Sequence, residues 1–302
     1  MNQFISVTII RITIEIREYL ILSKSILPDW TGSELINMKS EMEIISKSNP
    51  IIKLARSLGQ RKFRDENHLF LVEGIHNVAA AVEAGWMIHT ILYSLDLLRS
   101  QFANQLIENQ TTAGINCQSI IPQIFKTLAE KENPQGLLAI VHQRNTQISE
   151  LDQQKFQWAV AVISPQDPGN VGTLLRTIDC VGADGLILLD GGVDAYHPGS
   201  VRASMGSLFY KPTIQTTFSD FIHWARSHNY LLIGSSAHAE KNYRTLSLHE
   251  RPSILVLGNE QKGMTAEQMQ AIGLMVSLPM HGHASSLNLS VAAGVLLYAM
   301  ME

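Results

Sequence analysis

The chain has 302 residues, which is enough for two domains with separate hydrophobic cores. Its apolar and charged fractions are those of a globular protein and exclude the disordered and fibrous classes. The formal net charge of −4 argues against a protein that coats nucleic acid without specificity, although it is compatible with a local basic surface. Cys117 and Cys180 lie in apolar segments, so we expect buried, reduced thiols in a cytoplasmic protein without a disulfide framework.

The first 42 residues carry no functional signal. No apolar run in the chain is long enough to cross a bilayer, so we expect no membrane association. The segment from Phe4 to Ile16 contains charged residues, which the core of a signal peptide lacks. We therefore expect residues 1–42 to be an extension that is not part of the fold.

A basic segment between Ile45 and Arg64 comes next. It contains six basic residues and no acidic residue, and the apolar positions after Pro50 have helical spacing. Such a segment is often only a solvated helix face. Its concentration in an acidic protein favours a surface that contacts phosphate groups. The candidate phosphate contacts are Lys53, Arg56, Arg61, Lys62 and Arg64.

The rest of the first half predicts a small α/β sandwich, because short strands and helices alternate along it. The predicted elements are a strand at Leu69–Val72, a helix at Val78–Ala84, a strand at Ile88–Tyr93 and a strand–helix–strand series that ends at Val141. The polar stretch Asn145–Gln157 has no strong periodicity and is the predicted linker. We place the first domain at residues 43–147 and the second at 155–302.

The second half predicts a mostly parallel sheet with helices on both faces. Trp158–Ile163 is a continuous apolar run, as expected for a strand that is covered on both sides. The further predicted strands are Leu186–Leu189, Leu231–Gly234, Ile254–Leu257 and Met275–Leu278, and the predicted helices are Val171–Val181, Phe218–Ser227, Ala266–Ile272 and Ser286–Met300.

Three stretches with polar loops that contain glycine follow strands of this second half. They are Gln166–Thr177, Gly258–Met264 and Leu278–Met300, and the loop of the last is marked by Pro279 and Gly282. Loops after the strands of a parallel sheet build ligand sites at the carboxyl edge of the sheet. Asn288 lies in the first turn of the last predicted helix, which is otherwise apolar, so we expect its amide to be hydrogen-bonded. Ser285 or Ser286 is the predicted N-cap of that helix.

Taken singly, these loops do not indicate a particular function, but they argue against three kinds of site. Gly258–Gly263 lacks the Gly-Lys-Ser/Thr ending of a phosphate-binding loop, which argues against a nucleotide hydrolase. No Gly-x-Gly-x-x-Gly follows the first strand of either domain, so no dinucleotide site is predicted. His281 and His283 have no third ligand nearby in the sequence, and we predict no metal site.

Taken together, the loops resemble the three sequence motifs of the SpoU (TrmH) family of the SPOUT superfamily. Val201–Phe209 also resembles this family, and Lys53–Gly74 resembles the substrate-binding domain, related to a ribosomal protein, that is often fused to it. The resemblance covers about residues 45–302. The motifs read Asp-Pro-Gly-Asn-Val-Gly-Thr-Leu-Leu-Arg-Thr (167–177), Leu-Gly-Asn-Glu-Gln-Lys-Gly-Met (257–264) and Leu-Pro-Met followed by Ser-Ser-Leu-Asn-Leu-Ser-Val-Ala (278–292).

The resemblance implies a ribose 2′-O-methyltransferase that acts on RNA with S-adenosylmethionine. It also implies a carboxy-terminal domain tied in a trefoil knot and a homodimer formed through that domain. The apolar character of the last helix agrees with such an interface. By resemblance, the cofactor is bound at Leu257, Gly258, Leu278, Met280 and Leu287. We interpret Gly258 as a position where a missing Cβ lets the main chain approach the ligand.

The resemblance further implies five catalytic positions, at Arg176, Asn170, Glu260, Ser286 and Asn288. Because arginine stays charged in proteins, we favour an Arg176 that grips an RNA phosphate and stabilises the developing oxyanion over one that acts as a base. Asn170 and Asn288 would orient the substrate or Arg176. Simpler roles stay open: a surface ion pair for Arg176, a loop brace for Glu260 and a helix cap for Ser286.

The amino-terminal domain favours large-subunit ribosomal RNA as the substrate. A tRNA methyltransferase of the same family is the alternative enzyme. A protein of another class, a ribosome-assembly factor that binds RNA without catalysis, is the third possibility. Binding of S-adenosylmethionine separates the enzymes from the assembly factor.

Overall fold

The computed structural model describes residues 43–236, 239–246, 252–284 and 286–301. The chain divides into two units, residues 1–43 and 44–302, and the elements given below belong to the second unit. The predicted extension of residues 1–42 lies outside the described residues. Ile44 already forms a parallel β-bridge with Ile120.

The first half forms a four-stranded sheet with the order β1–β4–β2–β3. Strand β4 is antiparallel to both of its neighbours, and β2 is parallel to β3. The predicted strand–helix alternation is therefore confirmed. The elements are α1 (Pro50–Ser57), α2 (Arg61–Asn67), β1 (Leu69–Glu73), α3 (Ile75–Glu83), β2 (Ile88–Tyr93), α4 (Gln101–Thr112), β3 (Asn116–Ser119), α5 (Pro122–Leu128) and β4 (Leu137–His142).

Helix α1 shows how the basic segment folds. The side chain of Asn49 accepts a hydrogen bond from the N–H of Ile51, and Pro50 occupies the first turn, so the helix begins where the sequence predicts. Ile52 and Ala55 are buried against α5 and the sheet. The basic side chains of α1 consequently face solvent.

The second half forms a seven-stranded sheet with the order β7–β6–β5–β10–β8–β11–β9, and all of its pairings are parallel. The predicted parallel α/β architecture is confirmed. The elements are β5 (Trp158–Ile163), α6 (Pro168–Val181), β6 (Gly185–Leu189), α7 (Pro198–Ala203), β7 (Thr213–Thr216), α8 (Phe218–Ser227), β8 (Leu231–Ser235), β9 (Lys241–Asn242), β10 (Ser253–Leu257), α9 (Ala266–Ile272), β11 (Leu274–Ser277) and α10 (Leu289–Met301).

Several sequence expectations need correction. Helix α6 starts at Pro168 because the side chain of Asp167 caps it, accepting a hydrogen bond from the N–H of Gly169 at 2.6 Å. Helix α10 starts at Leu289, three residues later than predicted. Cys117 is buried as expected, but Cys180 is exposed because it lies on the outer face of α6. The sequence also gave no signal for α7 or β7.

One hydrophobic cluster joins the two sheets, because its buried members come from both halves of the chain, and each half has a further cluster of its own. Phe70 and Trp86 of the first half pack against Tyr196 and Phe209 of the second, with ring centroids 4.7–6.4 Å apart. Helix α7 lies at this junction and contacts both β1 and α6. Gly172 permits the α6–α7 crossing, since a Cβ there would lie 2.3 Å from the carbonyl oxygen of Ser200.

Candidate active site

The loops that follow β5, β10 and β11 meet at the carboxyl edge of the large sheet and enclose a cavity of about 590 Å³. Four of the five predicted catalytic residues and all five predicted cofactor residues line it. These are Asn170, Glu260, Ser286 and Asn288, and Leu257, Gly258, Leu278, Met280 and Leu287. Positions that are up to 118 residues apart in the chain thus share one cavity.

Glu260 holds the first two loops together. Its carboxylate accepts hydrogen bonds from the N–H of Gln166 at 3.1 Å and from the N–H of Asp167 at 3.4 Å, just before α6. A carboxylate is stabilised at this position, because the free N–H groups and the dipole of a helix N-terminus carry positive charge. These contacts are those of a residue that braces the loops, which is one of the two roles that the sequence leaves open for Glu260.

The second loop closes on itself as a tight turn. Asn259 and Gly263 exchange backbone hydrogen bonds, and the Asn259 side chain donates to the carbonyl oxygen of Ser164 at 2.8 Å. Gly258 is needed for this turn, since a Cβ there would lie 2.7 Å from Gly263 and 2.9 Å from Met264. The contacts therefore give Gly258 a role in closing the loop, and its close approach to a ligand stays a prediction.

Two asparagines join the first loop to the third. The side-chain N–H of Asn288 donates to the side-chain oxygen of Asn170 at 2.9 Å, which confirms that the Asn288 amide is hydrogen-bonded. The Asn170 amide in turn lies 3.5 Å from a carboxylate oxygen of Glu260. Both amides are thus held at the cavity wall, with Asn170 almost fully buried.

Asn288 also starts the last helix. Its side-chain oxygen accepts hydrogen bonds from the N–H groups of Ser290 and Val291, at 2.9 and 3.4 Å. The predicted cap at Ser286 is therefore wrong, and Ser285 lies outside the described residues. Ser286 is exposed at the cavity mouth, where a hydroxyl can meet a ligand.

Comparison with known proteins gives two matches to family models. The SpoU rRNA Methylase family matches residues 157–298, and the MRM3-like substrate binding domain matches residues 49–139. A relative from Streptomyces viridochromogenes, named 23S rRNA (uridine(2479)-2′-O)-methyltransferase, is 32% identical over 248 residues, which cover 80% of this chain and 85% of the relative. This chain belongs to the SpoU family.

Solved structures agree with this family assignment. A protein from Sinorhizobium meliloti, described as an AdoMet-bound rRNA methyltransferase, superimposes with a TM-score of 0.78 at 33% identity, and the match covers 85% of this chain and 96% of that protein. The 23S rRNA (guanosine(2553)-2′-O)-methyltransferase of Bacillus subtilis is 29% identical over 85% of this chain and 98% of its own length. The predicted SPOUT fold with an α/β substrate-binding domain is confirmed.

Arg176, in the first SpoU motif, does not line the cavity of its own chain. It is exposed and lies six residues after Asn170 on α6, about 9 Å along the helix axis and on another face of the helix. It makes no hydrogen bond or ion pair with any residue that the structure describes. The structure thus separates Arg176 from the other four predicted catalytic residues.

The basic residues of the SpoU substrate-binding domain divide into two groups. Lys53, Arg56 and Lys62 are exposed, so they can reach RNA phosphates. The prediction that Arg64 binds RNA is wrong, because this side chain is only 1% exposed and forms an ion pair with Asp194 at 2.6 Å. Arg61 is exposed and donates to the carbonyl oxygen of Gly192 at 2.6 Å, and Arg56 donates to the hydroxyl of Thr127 at 3.3 Å.

Three residues of the SpoU site escaped the sequence reading. Asn259 lies within the second motif, but its role depends on Ser164, which is 95 residues away, and no local pattern reveals such a partner. Ser235 and Ser236 line the cavity because they end β8, the strand beside β10. Polar residues at the end of a predicted strand were the available signal for these two.

Two features are absent from the described part of this SpoU protein. No group of three or more His, Cys, Asp or Glu side chains there could hold a metal ion. None of the helices described combines the length and the apolar character that crossing a bilayer requires.

Proposed function

We propose that this protein is an S-adenosylmethionine-dependent methyltransferase that modifies a ribose 2′-hydroxyl of large-subunit ribosomal RNA in the cytoplasm. The observation that carries the proposal is the cavity in which the three SpoU loops meet. The relatives from Streptomyces and Bacillus are both named as 23S rRNA 2′-O-methyltransferases, which favours ribosomal RNA as the substrate. The exposed basic side chains Lys53, Arg56 and Lys62 of the matched substrate-binding domain favour an RNA rather than a small molecule as the acceptor.

The cavity suits S-adenosylmethionine. Its volume is within the range of about 300–1,000 Å³ that is usual for small-molecule sites. Leu257, Leu278, Met280 and Leu287 supply apolar surface, and the main chain of residues 257–263 supplies hydrogen-bonding groups beside it. This combination fits an adenine ring and a methionine chain. The bound cofactor would supply an activated methyl group on a sulfonium.

Because the methyl donor is already activated, most of the protein's task is to position the acceptor hydroxyl. Holding two reacting groups in line can contribute about 7–11 kcal/mol. Asn170 and Asn288 are suited to this task, since their amides lie at the cavity wall and already fix one another. Glu260 acts through them and through the loop before α6, so we propose that it is a positioning residue.

We also propose a homodimer that forms through α6 and α10. The outer face of α10 exposes Val291, Val295 and Tyr298, which are 52%, 37% and 55% accessible. Such a continuous apolar face favours association. Arg176 lies on the neighbouring helix, which packs against α10. Pairing through this face would bring the Arg176 of each copy to the cavity of the other.

In that position Arg176 would remain cationic. A guanidinium can grip an RNA phosphate with two parallel hydrogen bonds and can stabilise the negative charge that develops on the 2′-oxygen. The distance from Arg176 to the cavity of its own chain supports action from the second copy.

The direct test is calorimetric titration with S-adenosylmethionine, followed by mapping of 2′-O-methylated sites in total RNA from cells with and without this gene. We expect one cofactor site per chain and the loss of one methylation from large-subunit ribosomal RNA. Absence of cofactor binding would instead indicate an RNA-binding assembly factor. Loss of a tRNA methylation would redirect the proposal to tRNA.

We further expect Lys53 and Arg56 to contact RNA phosphates. In the Lys53→Ala/Arg56→Ala variant, the slope of log affinity against log salt should become shallower by about 0.7–0.9 for each lost contact. Fluorescence anisotropy with a ribosomal RNA fragment at several salt concentrations measures this slope. Lys155→Ala is the matched control, because Lys155 is an exposed lysine outside the basic segment. Equal slopes for the double variant and the wild type would place the RNA elsewhere.

A further inference from the structure

The substrate-binding domain is joined to the methyltransferase domain by more than a linker. Arg64 of α2 is buried at the junction, where its guanidinium donates to the carbonyl oxygens of Leu58 and Gly59 at 3.0 Å and to the carboxylate of Asp194 at 2.6 Å. Asp194 is itself buried. Since removing either member would leave an unpaired charge inside the protein, the pair holds the two domains in one arrangement.

Other hydrogen bonds cross the same junction. The indole N–H of Trp86 donates to the carbonyl oxygen of Phe209 at 2.9 Å. The hydroxyl of Tyr196 donates to the carbonyl oxygen of Arg144 at 2.6 Å and accepts from the N–H of the same residue at 3.1 Å. Burial raises the pKa of Tyr196 to about 12, so this hydroxyl keeps its proton. The Trp86 contact is buried and the two Tyr196 contacts are partly buried, all beside the shared aromatic core.

The junction leads directly to the candidate active site. Arg61 of α2 donates to the carbonyl oxygen of Gly192, and the next residue, Val193, donates its N–H to the carbonyl oxygen of Pro165 at 2.8 Å. Gly192 must lack a side chain there, because a Cβ would lie 2.3 Å from the same Pro165 oxygen. The residue after Pro165 donates its N–H to Glu260. A continuous series of contacts thus connects α2 to the cavity wall.

From these contacts we infer that Asp194 is a positioning residue for RNA methylation. Through Arg64 it fixes the basic surface of α1 and α2 at a set distance from the cavity, and this distance selects the ribose that is methylated. The substrate-binding domain works without moving relative to the methyltransferase domain. The inference rests on the proposed function for its effect on turnover, but the rigid junction itself can be measured without RNA.

The first arm of the test uses Asp194→Asn, with Tyr196→Phe as a milder variant that keeps the ring. We expect kcat on ribosomal RNA to fall by about 100-fold in Asp194→Asn, because a misplacement of about 1 Å has an effect of that size. The affinity for S-adenosylmethionine should be unchanged, and methylation should spread to neighbouring riboses. If both variants have the kcat of the wild type and methylate the same ribose, the inference is overturned.

The second arm separates positioning from general destabilisation. Arg202 and Glu130 form an exposed ion pair across the same junction, so cysteines at both positions can be joined by a short bismaleimide. Cys180→Ser is the background, because Cys180 is exposed and would react. Cross-linking should leave the turnover of this background unchanged and should restore it in Asp194→Asn. The single Arg202→Cys variant treated with the same reagent is the control. If cross-linking abolishes the turnover of the Cys180→Ser background while the single-cysteine control stays active, the domains must move during the reaction.

The third arm of the test uses scanning calorimetry, which measures thermal unfolding and needs no RNA. The wild-type protein should unfold in one cooperative transition, because the two domains share a core. In Asp194→Asn this transition should move to a lower temperature, because the buried guanidinium of Arg64 loses its charged partner, and the cross-link should raise the transition temperature again. Two transitions in the wild type would contradict the rigid junction. A wild type that unfolds in one transition but does not methylate RNA would contradict only the proposed function.

Discussion

Replacing Arg176 with alanine should lower kcat for RNA methylation by about 10²–10³-fold, the usual effect of removing one group that stabilises a developing oxyanion. The affinity for S-adenosylmethionine should stay the same, because Arg176 does not line the cavity where the cofactor residues meet. Single-turnover kinetics with saturating cofactor, together with calorimetric titration, measure both quantities. A parallel loss of cofactor affinity would move Arg176 from the substrate to the cofactor.

A mixing experiment decides which chain Arg176 serves. Arg176→Ala and Asn170→Ala should each be inactive when pure. If Arg176 acts on the cavity of the second copy, a mixed dimer has one complete site, formed by the cavity of the first variant and the arginine of the second. Random pairing then restores about a quarter of the wild-type turnover, since half of the dimers are mixed and each has one of two sites. Action within one chain would restore none.

Gly258→Ala should weaken S-adenosylmethionine binding by about ten-fold to a hundred-fold. The new methyl group would lie 2.7 Å from the backbone of Gly263, so the second loop cannot keep its turn. Forcing an extra methyl into a closed site costs about 1–3 kcal/mol, and each 1.4 kcal/mol is a factor of ten in affinity. RNA binding by α1 should be unaffected, because that surface is in the other domain.

Gly282→Ala is the matched control for this experiment. Gly282 lies in the third loop, and nothing is found within 4 Å of a Cβ placed there. The Gly282→Ala variant tests whether a methyl group added anywhere in these loops weakens S-adenosylmethionine binding. Calorimetric titration of both variants should show a clear loss only for Gly258→Ala. Equal affinities for both variants would mean that the second loop adapts and that its turn is not needed for binding.

The architecture was predictable because its signals are local. Trp158–Ile163 and Ile254–Leu257 are apolar without alternation, which is typical of strands buried on both faces, and both strands lie at the centre of the sheet. Asp167 is a residue type that caps helices, so the start of α6 could have been placed three residues earlier. Helix α7 and strand β7 were not predicted, because both are short and take their stability from tertiary contacts.

The site itself was predictable only in part. Family motifs named the residues that line the cavity, but no sequence pattern shows that Asn288 bonds to Asn170 or that Glu260 spans two loops. Arg64 illustrates the main difficulty. It belongs to a basic run with Lys53 and Arg56, and it is buried only because Asp194 meets it from 130 residues away. The number of charges in a segment does not distinguish a buried, paired arginine such as Arg64 from an arginine on the surface.

The order of the large sheet has a consequence for synthesis of the protein. Strand β10 lies between β5 and β8, although both of these are made earlier, and α10, the last helix, completes the core around α6. The first domain can begin to fold while the ribosome is still translating the second. The catalytic half must wait for the final residues to emerge. A nascent or prematurely terminated chain would therefore lack both the core that the two halves share and the cavity that the three loops form.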